Sequence, residues 1–304
     1  MIEQALYQHL IAQEVLEPYL TKYNGIPAIF NQEAPADTDG LWSSGPQYAR
    51  IVYAEDLQGD PERTMGGTLV VDIACKENEQ YPEEMEPIVR SLIHGYFFSN
   101  GTFTVEAQWK NSSYFTEPTD RVVGCTITFD LLAFPILTTQ NPDVIQRLNV
   151  WTAQTYPELH VINYEPLPST AWKPETNNSA VYWRVQNDSP ANWIPDTYAT
   201  IWRTAMVKGH IFAIDVNQAS VLAQQIATNL HAVKRLYKDG ESQIMTNRRN
   251  TVDPGADPLR AGQVTVEATY GVIVYSEPDG VINNIEFKEE KGDQEWRVPE
   301  NQTE

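Results

Sequence analysis

Five histidines, two cysteines and three aspartates set in apolar runs are the side chains from which catalysis or metal binding would be built. The histidines are His9, His94, His160, His210 and His231. They are scattered, with no HxxxH and no His–Cys spacing, so the ligand pattern of a zinc site is missing. There is no Walker loop, no GxGxxG and no GxSxG. Met65-Gly66-Gly67-Thr68 is too short to cradle a phosphate and reads as a bend or bulge at a strand start. Asp72, Asp130 and Asp215 lie within apolar strand patterns. A strand aspartate can act as a general acid or base, but no partner group stands near them in sequence, so they read as solvent-facing or boundary residues. Cys75 and Cys125 sit inside apolar strand patterns as well and read as buried free thiols in a reducing compartment. A disulfide between them requires neighbouring strands, which sequence leaves open. The expectation is a protein with no catalytic residue, no cofactor and no metal.

Recognition is the other chemistry that residue types suggest. Of the eight tryptophans, Trp42, Trp172 and Trp193 fall in loops. Loop tryptophans suit an oligomer or partner interface, because Trp is enriched among the residues that carry binding energy. Exposed aromatics also suit sugar binding, and sequence does not separate the two.

The chain of 304 residues has a net charge of −20. That balance argues against non-specific nucleic-acid binding, which needs clustered Lys and Arg. It leaves room for a wall that DNA slides past without sticking. The charge is uneven: residues 1–140 carry 7 basic and 20 acidic side chains, whereas residues 141–278 carry 11 and 13. The first part is therefore the candidate for a repulsive face towards another polyanion, beyond a merely solubilising surface. Neither a signal peptide nor a bilayer-spanning run is evident, so the sequons at Asn100, Asn111, Asn177 and Asn187 read as accidental.

The elements that must position these residues follow from periodicity. Apolar spacing of three and four predicts a helix over 2–17. Short strands are predicted over 27–31 and 48–53, with a Pro-, Gly- and Asp-rich loop over 32–46 between them. Thr68 to Cys75 is a strand of β-branched and apolar residues. Pro82 to Pro87 places prolines and acids where a helix first turn accepts them, and the helix continues through Ile93 and Tyr96. Strands over 101–109 and 121–134 flank a polar loop over 111–120. After Pro135 the order begins again. A helix follows Pro142, then strands over 159–162 and 180–186, with a loop over 166–178. A long strand over 201–215 is broken near Gly209. A helix over 217–237 takes Asn217 as its N-cap. A short strand over 243–246, a polar loop over 247–259 and a closing strand over 264–275 complete the series.

Matched elements lie about 131 to 140 residues apart: Tyr48 with Ser179, Thr68 with Met206, Glu83 with Gln218, Arg121 with Ala261. The expected fold is α+β, with two tandem similar domains over 1–138 and 139–278 and a charged tail over 279–304. Each domain would be a mixed, mostly antiparallel sheet with an N-terminal helix and a helix packed on the sheet. Trp296 is unusual for a plain solvated tail.

The first 135 residues resemble the tail terminator, or tail completion, proteins of long-tailed bacteriophages. The resemblance rests on the helix Ile2–Glu17, then Ile26-Pro27-Ala28-Ile29-Phe30 with its loop, Tyr48–Tyr53, and Gly66-Gly67-Thr68-Leu69-Val70-Val71-Asp72-Ile73. The helix around Ile88-Val89-Arg90-Ser91-Leu92-Ile93 and the strand Val123–Phe134 complete it. It lies in order and spacing, not in a signature motif. It implies a virion protein, assembled in the host cytoplasm, that forms a hexameric ring at the head-proximal end of the tail. Such a ring caps the tail tube, ends its polymerisation and joins a head-closure or connector protein, with DNA passing through the lumen. No enzyme activity, cofactor or membrane comes with the family.

Usual members match the first copy alone in size, so the second copy is a departure. Three chains would give a pseudo-sixfold ring; six would carry an added layer, and the unequal charge of the copies favours six. The contact loops are then 32–46 and 111–120, with 166–178 and 247–259 as counterparts. Asp37, Asp39, Trp42, Glu117, Asp120, Trp172 and Trp193 are the candidate interface residues, the acids among them facing the lumen. The alternatives are another neck, collar or head-closure ring protein, a carbohydrate- or receptor-binding module, and a hydrolase built on the strand aspartates.

Overall fold

The computed structural model describes residues 2–43, 48–57, 65–101, 103–197, 199–233, 235–236 and 245–274. The expected tail over 279–304, with Trp296, lies outside the described residues. The chain folds as α+β, and its two large sheets are mixed and mostly antiparallel.

Helix α1 (Ile2–Ile11) buries Ile2, Ala5, Leu6 and Leu10 along one stripe. It stops short of the predicted Glu17. The backbone tightens to i→i+3 bonds from Gln13 to Leu10 and from Leu16 to Gln13, and a 3-10 turn over Glu14–Leu16 tucks Leu16 into the core. Strands β1 (Lys22–Tyr23) and β2 (Ile26–Pro27) form a hairpin around Asn24 and Gly25, both at positive φ. That Asn-Gly turn folds Ile26-Pro27 back on Tyr23, so the single strand expected over 27–31 is split. Its second part, β3 (Ile29–Asn31), joins the main sheet. Then come β4 (Arg50–Leu57), β5 (Met65–Lys76), α2 (Pro82–Ile93), β6 (Phe97–Ser99), β7 (Thr104–Glu117) and β8 (Val122–Ala133). Strand β7 runs through most of the loop expected over 111–120. Its outer part is a largely exposed sheet edge, paired with β8, which pairs with β5 on its other side, so the burial signal of a strand is absent there.

The second half runs α3 (Val144–Thr155), β9 (His160–Val161), β10 (Ala171–Trp172), β11 (Ala180–Pro190), β12 (Thr200–Phe212), α4 (Val216–Ala232), β13 (Arg235–Leu236), β14 (Met245–Val252) and β15 (Val264–Ile273). Helix α3 is capped by Asp143, whose Oδ1 accepts from the Ile145 amide at 3.1 Å. Three expectations are corrected here. Strand β12 is continuous through Gly209. Asp215 is not a strand residue: it is the N-cap of α4, accepting from the Gln218 amide at 2.8 Å, a role the sequence reading had given to Asn217. Helix α4 ends at Ala232, and Arg235–Leu236 turn back as a strand against β14, which takes in the first part of the loop expected over 247–259.

The two halves share one strand order. It is β6-β7-β8-β5-β4-β3 in the first and β13-β14-β15-β12-β11-β9 in the second. The pairs β3–β4 and β9–β11 are parallel and every other described pair is antiparallel. Helices α1 and α2 cover one face of the first sheet, where Ile51, Tyr53, Leu69, Val71, Ile73, Ile127 and Phe129 are buried. Helices α3 and α4 cover one face of the second, over Val181, Trp183, Val207, Val266 and Tyr270. Pleat alternation puts Asp72 and Asp130 on the uncovered face, where Asp72 accepts from Thr126 Oγ1 at 2.6 Å and Asp130 from Lys110 Nζ at 3.0 Å.

Candidate assembly surfaces and the seam between the halves

The first sheet has a seventh strand, and the second half supplies it. Strand β10 leaves the β9–β11 connection and pairs antiparallel with β6, Ala171 opposite Phe98 and Trp172 opposite Phe97. The Ser99 amide donates to Thr170 O at 3.0 Å and prolongs the pairing. Phe97 faces away from its own core because Phe98 faces into it. It meets Trp172, Phe212 and Phe134 at ring-centroid distances of 5.3, 5.0 and 5.4 Å. Tyr182 packs edge-on against Phe134, and Ile162 and Ala180 complete a separate small core between the halves. Two side-chain hydrogen bonds cross the seam beside these rings. Tyr182 donates to Pro135 O at 2.7 Å and Asn163 Nδ2 to Phe134 O at 2.6 Å.

Among the titratable groups buried at this seam are Glu106 and His210, and burial favours the neutral form of each. The Glu106 carboxyl is pushed up to about 8 by desolvation, against the opposing effect of the Gln108 amide that donates to it. His210 is pushed down to about 4, again chiefly by burial; its Nδ1 lies 2.6 Å from Pro258 O and therefore carries the proton. Beside Glu106 a cleft of about 500 Å³ is lined by Phe97, Phe212, Ile214, Lys173 and Leu259. The side chain bonded to Glu106 is an amide, not a base or a nucleophile, so the arrangement is that of a packed seam with an uncharged interior.

Sequence places Asp37 and Asp120 far apart; the structure brings both to Tyr48. Asp37 accepts from Arg50 Nη1 at 2.7 Å and from the Tyr48 hydroxyl at 3.0 Å. Arg50 and Lys76 lie over the Tyr48 ring at 4.6 and 5.5 Å, and Lys76 Nζ donates to Asp120 O at 3.0 Å. The patch is thus mixed in sign, with cations set among the acids. Asp39 accepts from the Tyr23 hydroxyl and from the Leu41 amide, both at 3.0 Å, and so ties the 32–43 loop to the first hairpin. Glu117 is exposed at the end of β7, where the chain turns into β8.

No protein-family model matches the chain, and no curated protein sequence matches it significantly. Placement of side chains therefore carries the functional argument.

The three loop tryptophans are treated unequally. Trp42 is buried in its own half, packed edge-on against Tyr23 and Phe30, with Nε1 donating to Ala36 O at 3.0 Å. Trp172 is buried in the seam. Trp193 alone of the three is exposed, at 52%. Phe97, Phe134, Tyr182 and Phe212 were not singled out from sequence. The signal for Phe97 was its place in a Phe-Phe pair on a short strand, where two adjacent rings must face opposite sides of a sheet. Cys75 and Cys125 are free and buried. Among the described residues no group of His, Cys, Asp and Glu is arranged to hold a metal ion, and no helix is long and apolar enough to cross a membrane.

Proposed function

We propose that the chain is a structural, non-enzymatic subunit of a bacteriophage virion. It forms a ring that caps the tail tube at its head-proximal end, ends tube polymerisation and joins the tail to the connector, with DNA passing through the lumen. The observation that carries this reading is the pairing of two halves with one strand order through a contact that is not self-reciprocal: the β9–β11 loop of the second half lies on the β6 edge of the first. Contacts of this kind between like units generate rings when they close. The order of elements in the first half, which resembles tail terminators, supplies the identity of the ring. The shared topology supports descent of both halves from one duplicated domain.

The second half lies beside the first and extends its sheet, which favours three chains with six domains around the lumen over six chains with an added layer. The carbohydrate-binding alternative loses two of its three loop tryptophans, because Trp42 and Trp172 are buried. Size-exclusion chromatography with light scattering, followed by negative-stain imaging, tests the proposal. A ring of three or six chains with a central hole is the expected result, and a stable monomer overturns it.

A further inference from the structure

Both halves build the cleft beside Glu106. Glu106 lies on β7 and Phe97 on β6 of the first half; Lys173 follows β10, Phe212 ends β12 and Leu259 precedes β15 in the second. Its volume of about 500 Å³ is that of a small-molecule site, for which about 300–1,000 Å³ is usual. The walls are mostly apolar. Glu106 is 5% exposed and Lys173 is exposed, so the carboxyl lies at the floor and the ammonium at the mouth. The cleft sits at the Phe212 end of β12. The described chain ends at the opposite end of that strand, where the Val274 amide donates to Ala199 O at 3.0 Å. Leu236 and Met245, which flank another undescribed segment, lie in line with Tyr270 and Arg203, near that same opposite end.

The two oxygens of Glu106 differ. Oε1 accepts from Gln108 Nε2, whereas Oε2 has no hydrogen-bond partner among the described residues. In the neutral acid, which burial and then the Asp257 carboxylate favour, Oε1 is the carbonyl oxygen and Oε2 carries the proton. A buried O–H without an acceptor is destabilising, and the group that relieves it must offer an oxygen lone pair. The fixed charge in the cleft has the matching sign. Lys173 Nζ donates to His94 O at 3.2 Å and lies 5.4 Å over the Tyr96 ring, which holds a cation at the mouth. Asp215 and Asp257, the acids beside the cleft, are bonded to the backbone amides of Gln218 and Leu259. His94 accepts at Nδ1 from the Trp109 amide at 3.1 Å, and burial, then Lys173 and Arg90, lowers its tendency to take a second proton. An amine would have to strip the proton from Glu106 and then sit beside Lys173; a carboxylate meets a donor and a cation already in place.

We propose that the cleft binds a small apolar monocarboxylate, its carboxylate taken by Glu106 Oε2 and Lys173 Nζ and its stem lying against Phe97, Phe212 and Leu259. Because the two halves share the site, a bound acid stabilises their joined form by mass action. The proposal does not rest on the ring reading, and binding is read on the full chain whatever its state of assembly.

The test is titration calorimetry of the full chain with hexanoate, and with hexylammonium and hexanol as probes of the same stem with a different head. Hexanoate is expected to bind at one site per chain and to raise the melting temperature, and the other two to bind at least tenfold more weakly. Its affinity is expected to fall as pH rises through about 8, where Glu106 loses the proton that it donates, while the probe itself stays ionised. Lys173→Met changes an exposed side chain, so the fold is expected to stay intact by far-UV circular dichroism while hexanoate affinity drops roughly tenfold. Absence of saturable hexanoate binding up to about 10 mM overturns the proposal. Hexylammonium binding more tightly than hexanoate overturns the assigned ligand class. Hexanoate binding that neither pH nor Lys173→Met alters overturns the assigned site.

Discussion

Trp183 and Gly209 face each other across the β11–β12 ladder, and a Cβ at position 209 would come within 2.5 Å of the indole Cζ3. The corresponding cross-strand pair in the first half is Tyr53 and Val71, opposite each other in β4 and β5. A larger ring with no side chain opposite it replaces a smaller ring with a branched one. In both halves the ring's polar atom reaches back to the first helix of its domain: Tyr53 donates to Glu3 O at 3.0 Å and Trp183 Nε1 to Thr152 Oγ1 at 2.9 Å. The two cores are thus built on one plan with compensated volumes.

Gly209→Val should destabilise the second half by about 1–3 kcal/mol or more, since the added methyls meet a ring in a filled core. Combining it with Trp183→Tyr, which recreates the first-half pair, should recover part of that loss. Urea midpoints of the two variants measure both effects. A Gly209→Val protein as stable as wild type would show that the ring has room to move.

Phe97→Ala removes the ring at the centre of the seam and should cost about 3–5 kcal/mol. The loss falls on the contact between halves, not on either helix-covered core. Calorimetry should therefore resolve two transitions in the variant where wild type has one. A single transition, shifted down as a whole, would mean that the seam is not what couples the halves.

Stability should rise as pH falls from about 9 towards 6.5. Glu106 is held at about 8 and Glu55 at about 7 by burial, Glu55 also by its bond to Glu3. Both lie above the ordinary carboxylate range, so the folded state takes up protons across that window while the unfolded chain does not. Their contribution is complete below the unfolded carboxylate value and is lost as pH rises through 7 and 8. The buried His210, held at about 4, works in the opposite sense below about 6.5, where the unfolded imidazole protonates and the folded one does not. Glu106→Gln should flatten the upper limb in thermal melts between pH 7 and 9. An unchanged slope in that variant would remove Glu106 as its source.

The thiols should be silent in the native protein. Burial pushes Cys75 up to about 12 and Cys125 up to about 11, so neither is a thiolate at neutral pH. Titration with a thiol-specific disulfide reagent should give no rapid reaction in buffer and two equivalents in denaturant. Rapid native labelling of either would contradict the packing of β5 and β8.

The order of the main helices and long strands, the repeat of that order and the apolar faces of both sheets were legible in sequence. Each is a local property: Leu69, Val71 and Ile73 alternate, and Ile226 and Leu230 fall one helical turn apart, whatever lies opposite them, although Val221, which the same spacing puts on the apolar face, is exposed. Element ends were less legible. Nothing local separates Arg235-Leu236 from the last turn of a helix until β14 offers its edge, and the exposed outer part of β7 is a strand only because β8 lies beside it.

The uses of particular side chains were decided by tertiary structure alone. Trp42 and Trp172 both stand in polar loops, yet one closes its own domain and the other joins two, because only the second lies on a strand that reaches the β6 edge. Gly209 resembles a strand breaker until Trp183 is placed over it. Burial is a sum over distant parts of the chain, so no window of sequence contains it. The sequence by itself determined which units this protein is made of; the packing of Phe97 against Trp172 and Phe212 decided how they are joined.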